Sequence, residues 1–135
     1  MTLSTTYRQG IGYMAQSNFA SGMADDIDPR LLDFIERKVN TFVKWDLIRF
    51  FHDNPHAMDT AENIAGYIGR DVRRIDADFV SLVEAGVLEL QEKSGKHIYR
   101  LSNDTAVREL INQFVTACHD RSFRVKAINH MVHSR

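Results

Sequence analysis

The sequence predicts a mainly helical protein that carries one small β-hairpin. Two observations predict the helices: apolar residues recur at helical spacing along most of the chain, and capping residues or glycines stand where those stripes begin and end. A third observation predicts the hairpin, because apolar and polar residues alternate on both sides of Ser94-Gly95. The 135 residues are enough for one domain with a real core.

The helix with the clearest limits spans residues 71–85. Asp71 can cap its first turn by accepting hydrogen bonds from backbone N–H groups, and Gly86 supplies the left-handed position at which helices often end. The side chains expected to face a core recur at helical spacing: Val72, Ile75, Phe79, Leu82 and Val83.

A shorter helix is predicted just before it. Asp59-Thr60-Ala61-Glu62 has the spacing of a capping box, and Gly69 marks the end of the helix. Its inward residues are expected to be Ala61, Ile64, Ala65 and Ile68. The two helices and the turn around Gly69 predict a helix-turn-helix, preceded by a short strand at His56-Ala57-Met58.

The register of the hairpin follows from its two-residue loop at Ser94-Gly95. Strands at 87–92 and 97–101 then pair Glu92 with His97, Leu90 with Tyr99 and Leu88 with Leu101. This register puts the apolar side chains on one face and places Glu89 opposite Arg100 on the other face.

Two helices are predicted upstream. Asp28-Pro29 combines a cap with a proline at the first helical position, and the stripe that follows is Leu31, Leu32, Ile35 and Val39. Asn40-Thr41 can begin a second helix from Phe42 to Phe51, although one bent helix is the open alternative. The inward side of this second segment is expected to carry Phe42, Val43, Leu47, Phe50 and Phe51.

Ser102-Asn103 is expected to cap a C-terminal helix. Its apolar stripe is Val107, Leu110, Ile111, Phe114, Val115 and Cys118, continued by Phe123, Ala127, Ile128 and Met131. Such a stripe outside a small module is expected to need a partner that covers it. The chain is therefore divided into a flexible N-terminal arm (1–27), a central domain (28–103) and C-terminal dimerisation helices (104–135).

The order of elements from the helix at 39–53 to Leu101 resembles the winged helix-turn-helix family, most closely bacterial regulators of the MarR-like and ArsR-like kinds. The resemblance implies a cytoplasmic, homodimeric transcriptional regulator whose extra N- and C-terminal helices form the dimer. Recognition helix 71–85 would lie in the major groove of double-stranded DNA, with wing 91–98 on the backbone. An effector ligand is left open. The alternative is a winged-helix protein–protein interaction module without DNA binding.

The candidate DNA-binding residues lie on the predicted recognition helix and at the hairpin tip: Arg70, Arg73, Arg74, Asp76, Ala77, Lys93 and Lys96. The three arginines are expected on the solvent side of the first helical turns, and Asp76 could accept a hydrogen bond from a cytosine amino group. The competing interpretation is a solvated basic face, because Asp76 and Asp78 would repel phosphates and the formal net charge is only -1.

Three C-terminal histidines are considered as metal ligands. His119, His130 and His133 match the spacing of three of the four ligands in the zinc site of some ArsR-like sensors. Ala117 stands where that pattern has an aspartate, so exposed histidines are favoured and no cofactor is predicted.

The remaining signals argue against several function classes. Cys118 is the only cysteine, which excludes an internal disulfide and a paired-cysteine zinc site. No apolar run reaches membrane-spanning length, so no membrane segment is expected. Phosphate-binding glycine loops, metalloprotease motifs and nucleophile elbows are absent from the sequence, so no enzymatic activity is predicted.

Overall fold

A computed structural model describes residues 27–133, and the predicted flexible arm at 1–27 lies outside the described residues except for Ile27. In chain order the elements are α1 (Pro29–Arg37), α2 (Phe42–Asp53), β1 (Met58–Asp59), α3 (Ala61–Tyr67), α4 (Val72–Glu84), β2 (Leu88–Lys93), β3 (Lys96–Leu101), α5 (Thr105–Ala117) and α6 (Arg121–His133). The predicted mainly helical fold with a small β-hairpin is confirmed. Within the described range, no helix combines the length and apolarity needed to cross a bilayer.

Side-chain caps begin the helices, and two of them differ from the prediction. Asp28 and Asp71 cap α1 and α4 as expected, and Thr41 begins α2 as a helix separate from α1. The predicted cap of α3 is wrong by one residue, because Thr60 accepts the hydrogen bond from the backbone N–H of Asn63. Asp59 instead belongs to β1, where it pairs with a residue of β3.

The predicted cap of α5 is also wrong. Asp104, rather than Ser102-Asn103, accepts the hydrogen bond from the backbone N–H of Ala106. Ser102 is buried at the end of β3, and its hydroxyl accepts a hydrogen bond from the backbone N–H of Asp104. The helix therefore starts later because the strand end keeps Ser102 in the core.

The three strands form an antiparallel sheet in the order β1-β3-β2. Every predicted hairpin pair is confirmed, including Glu89 opposite Arg100. Ser94 and Gly95 have φ values of 53° and 76°, as a type I′ turn requires. The predicted strand at His56-Ala57-Met58 is displaced toward the C-terminus, since only Met58–Asp59 pairs with β3.

Only part of the predicted apolar face of the hairpin is covered. Tyr99 is buried and packs against Phe79 of α4, with ring centroids 4.8 Å apart. Leu88 and Leu101 are buried as well, whereas Leu90 is 43% exposed. The core therefore covers the base of the hairpin and leaves its outer half open to solvent.

The side of α2 that faces the core differs from the predicted one. Leu47 and Phe51 are fully buried as expected, but Phe42 is 51% exposed. Trp45 and Ile48 are buried in addition, because α2 packs between α4 and α5 and must bury residues on two sides. A single-stripe pattern does not describe such a helix.

The C-terminal helices complete the core of this chain. Phe114 of α5 is fully buried, and its ring lies 5.1 Å from that of Trp45, 6.3 Å from that of Phe34 and 6.4 Å from that of Phe123, measured between centroids. α1 packs against α5 and α6. The expectation that the α5 stripe needs a partner chain is wrong, because α1, α2 and α6 cover most of it.

We expect Phe114→Ala to lower the free energy of unfolding by about 3–5 kcal/mol, because it leaves a cavity where four aromatic rings meet. Leu110→Ala, on the same helix but only partly buried, is the matched control and should cost less than about 2 kcal/mol. Denaturant unfolding measures both. Equal losses would show that α5 is not anchored in the core through Phe114.

Candidate nucleic-acid interface

The exposed side of α4 carries two of the predicted arginines. Ile75, Phe79 and Leu82 anchor the opposite side in the core. Arg73 and Arg74 are therefore directed to solvent in the first turns. The side chain of Arg74 makes no hydrogen bond or ion pair with any residue in 27–133, so its guanidinium is available to a partner.

Arg73 folds back on the helix cap. Its Nε and Nη2 donate to the carboxylate of Asp71 at 3.2 and 2.9 Å, although the Arg73 side chain is 87% exposed. Hydrogen bonds from the side chain and backbone N–H of Arg73 lower the pKa of Asp71. Exposed pairs of this kind are weak, so a phosphate or base edge could displace Asp71 from the guanidinium at little cost.

Arg70 does not belong to the exposed face of α4, which corrects the prediction. It precedes the cap, and its Nε and Nη2 both donate to Asp46 Oδ2 of α2, at 2.9 and 2.7 Å. The two side chains are each 37% exposed. Arg70 therefore ties the turn before α4 to α2, and its contact with DNA would require it to leave Asp46.

Asp78, one of the two acids predicted to repel phosphates, faces α2 instead. Its Oδ1 accepts a hydrogen bond from the Thr41 hydroxyl at 2.9 Å. Beside it, Lys44 is 6% exposed and donates to Ser81 Oγ at 2.7 Å and to Asn40 Oδ1 at 2.9 Å. This polar network joins the start of α2 to the middle of α4.

Sequence reasoning missed this network. One signal was present, because Lys44 interrupts the apolar residues on the inner side of α2. A buried lysine is costly unless its donors are satisfied, so its position implies polar partners on a facing helix. Which helix supplies them could not be read from local spacing.

The tip of the hairpin lies on the same side as the first turns of α3 and α4. These elements enclose a cleft of about 610 Å³, with Lys96 and His97 on the hairpin wall. Lys93 pairs with Lys96 across the turn, and both are exposed. Arg74 and the two lysines thus belong to elements that meet around this cleft.

The other walls of the cleft are acidic. Glu62 of α3 and Asp76 of α4 line it, and so does Tyr99. Burial raises the pKa of Tyr99, and the charges of Asp76 and Glu62 raise it further. Asp76 therefore faces the cleft rather than the outer side of α4, beside the exposed Ala77.

Asp59 lies just before α3, outside the lining of this cleft. A hydrogen bond from Asn63 lowers the pKa of Asp59 most strongly. Burial opposes this shift, and weaker hydrogen bonds from the Thr60 backbone and the Tyr67 hydroxyl, with the charge of Lys96, support it. Asp59 is thus ionised at neutral pH, and the positive charge of Lys96 stabilises its carboxylate.

The three C-terminal histidines do not come together. His130 Nδ1 lies 3.3 Å from Glu36 Oε2 of α1, His133 Nδ1 lies 2.8 Å from the backbone oxygen of Asn129, and His119 is exposed after α5. Among residues 27–133, no group of three or more His, Cys, Asp or Glu side chains could hold a metal ion. The candidate histidine site is not formed.

Comparisons with protein-family models, with curated proteins and with solved structures found no match to this chain.

Cys118, at the end of α5, is expected to react slowly with alkylating reagents. Burial raises the pKa of its thiol to about 11, although Arg49 and Arg124 act in the opposite direction. The rate of reaction with iodoacetamide should therefore rise about tenfold per pH unit from pH ~7 to ~9 without reaching a plateau. The unfolded chain is the control, and its rate should be half-maximal near pH ~8.5 and level off by about pH 10. A folded protein whose rate is also half-maximal near pH ~8.5 would contradict this expectation.

Proposed function

We propose that this protein is a winged helix-turn-helix regulator that binds double-stranded DNA. In this proposal α4 enters the major groove and the β2–β3 hairpin contacts the backbone beside it. The observation that supports it best is the exposure of Arg73 and Arg74 on the first turns of α4, next to a hairpin tip that carries Lys93 and Lys96.

The shape of α4 is compatible with groove binding. Its 13 residues span about 20 Å, and its exposed side carries small or extended side chains rather than bulky ones. Ala77 allows a base edge to approach closely, and the exposed Val80 could contact a thymine methyl group. Arginine is suited to guanine, which presents two acceptors in the major groove.

The charges on this surface imply few phosphate contacts. The formal net charge is -1, so attraction to DNA must come from local side chains. The inward orientation of Asp78 removes one acid from the α4 surface, whereas Asp76 and Glu62 remain in the cleft. We therefore propose binding that depends on a few base contacts and only weakly on salt.

We also propose a homodimer that forms through the outer side of α6. Val125 and Val132 are 51% and 53% exposed and lie two helical turns apart, whereas Ala127 and Met131 on the other side are buried. Exposed valines at this spacing form an apolar strip that a second copy could cover. A twofold dimer would present two α4 helices to two half-sites.

Combining Val125→Asp with Val132→Asp should produce a monomer in sedimentation velocity at micromolar concentration, because two charges would be buried in the interface. Val80→Asp, a similarly exposed valine on α4, is the matched control and should leave the dimer intact. A native protein that sediments as a monomer would contradict the homodimer.

DNA binding is tested by selecting sites from random duplexes and then titrating variants. Arg74→Ala should reduce the free energy of binding to the selected site by about 1–3 kcal/mol, and should weaken the preference for one base at a single position of that site. Lys93→Ala or Lys96→Ala should weaken binding to all sequences by the same factor. Each should also reduce the slope of the logarithm of the binding constant against the logarithm of the salt concentration by about one. Arg37→Ala, an arginine paired with Asp33 at the exposed end of α1, is the control and should change neither. Selection that yields no preferred sequence would overturn the proposal.

One observation favours a second function, in which the same surface docks a protein. Glu62 and Asp76 both line the cleft between α3, α4 and the hairpin. Two carboxylates in a cleft of about 610 Å³ repel phosphates but suit a lysine or arginine side chain. Under this alternative, duplex DNA binds weakly and without sequence preference, which the same titrations would reveal.

A further inference from the structure

A small pocket lies where the end of α2, the strand β1 and the end of α3 meet. Its volume is about 380 Å³, at the lower end of the range that is typical of small-molecule sites. We call it the β1 pocket. None of its lining residues belongs to α4 or to the hairpin, so it is separate from the proposed DNA surface. The residues that line it are Phe50, Asn54, Ala57, Met58, Asp59 and Tyr67.

Two stacked aromatic rings form the apolar part of the β1 pocket. The rings of Phe50 and Tyr67 are nearly parallel, at 14° to each other, and their centroids are 5.8 Å apart. Phe50 covers one side of the Tyr67 ring, and Tyr67 is still 65% exposed. Met58, which also lines the pocket, is 45% exposed. The fold therefore leaves uncovered an aromatic and apolar surface that a ligand would bury.

Asp59 forms the polar part of the pocket. Its Oδ1 accepts hydrogen bonds from the Thr60 backbone N–H at 2.8 Å and from Asn63 Nδ2 at 2.7 Å. Its Oδ2 accepts a hydrogen bond from the Tyr67 hydroxyl alone among residues 27–133, and this bond is long, at 3.3 Å. The ionised carboxylate therefore keeps acceptor capacity on Oδ2, next to the open aromatic ring.

The charges around the β1 pocket favour an organic cation. Within the described part of the chain, no lysine or arginine lines the pocket, and Asp59 is the only acidic residue that does. Lys96 acts on the Asp59 carboxylate from outside the pocket, so it partly offsets the attraction for a cation. A bare metal ion would find one carboxylate here, whereas hard cations need several oxygen ligands.

We propose that the β1 pocket binds a methylated ammonium group, which belongs to a free small molecule or to a methylated lysine. The cation lies against the open side of the Tyr67 ring, within reach of Asp59 Oδ2. The faces of aromatic rings carry negative charge that attracts such a cation, and its methyl groups are apolar enough to cover Met58. The Asp59 carboxylate adds a Coulomb attraction.

The test follows the backbone amide NMR signals of the full chain, without DNA, during titration with choline or with 3,3-dimethylbutan-1-ol. The alcohol has the shape of choline but a carbon atom in place of the charged nitrogen, so the difference between them measures the effect of the charge. We expect choline to shift the signals of residues 57–60 and of Tyr67, with a Kd of about 1 mM. The alcohol should bind about tenfold more weakly.

A short peptide that carries trimethyl-lysine distinguishes the two sources of the cation. If the peptide binds at least about tenfold more tightly than choline, contacts beyond the pocket contribute, and a protein side chain is the ligand. If the two affinities are equal, the pocket recognises the ammonium group alone, and a free small molecule is the ligand.

Variants separate the contribution of the ring from that of the carboxylate. Tyr67→Leu keeps apolar bulk without an aromatic face, and Asp59→Asn keeps an acceptor oxygen without the charge. Each should raise the choline Kd about tenfold and leave the affinity for the alcohol nearly unchanged. Tyr67→Phe keeps the ring and should keep most of the choline affinity. Phe42→Leu, at an exposed aromatic residue outside the pocket, is the matched control and should bind like the native protein.

Several outcomes would overturn the proposal. One is the absence of saturable choline binding in the millimolar range, and another is equal affinity for choline and the alcohol. Native-like choline binding by Tyr67→Leu, in a variant whose other amide signals show that it is folded, would exclude the ring. Shifts confined to the neighbourhood of Glu62 and Asp76 would place the cation in the cleft beside the hairpin. Because DNA is absent from the titration, failure of this proposal and failure of DNA binding are distinguishable.

Discussion

The structure depends on the burial of α2 between α4 on one side and α5 on the other. Leu47, Ile48 and Phe51 are fully excluded from solvent, and Trp45 meets Phe114 of α5. One helix therefore connects the elements of the proposed DNA surface to the C-terminal helices. Close packing at this helix means that a change on either side alters the position of the other.

Polar contacts also hold α4 against α2. Lys44 joins α2 to Ser81, Thr41 joins it to Asp78, and Arg70 binds Asp46 just before α4 begins. Buried or half-buried polar groups are costly unless they are paired, so each contact also excludes other orientations of α4. Together with the burial of Ile75, Phe79 and Leu82, these contacts leave Arg73 and Arg74 on the solvent side of α4.

Although the formal net charge is close to zero, the charged side chains are distributed unevenly over the surface. The outer side of α4 carries arginines, and the cleft beside the hairpin carries Glu62 and Asp76. A groove between α2, the end of α5 and α6 is lined by Arg49 and Arg124. The local charge of each surface determines which ligand that surface attracts, whereas the net charge of -1 has little influence on ligand choice. The acidic cleft and the basic helix face lie close together, and they favour different partners.

The sequence by itself determined what depends on neighbours along the chain. Asp28 and Asp71 cap helices within their own turns, and Ser94-Gly95 fixes the hairpin register, because these interactions join residues a few positions apart. Only the tertiary structure decided the partners of Arg70 and Asp78, which are 24 and 37 residues away in sequence. It also decided that α5 is covered within the chain. Helical periodicity shows that a face is apolar, but what covers that face depends on how distant segments pack.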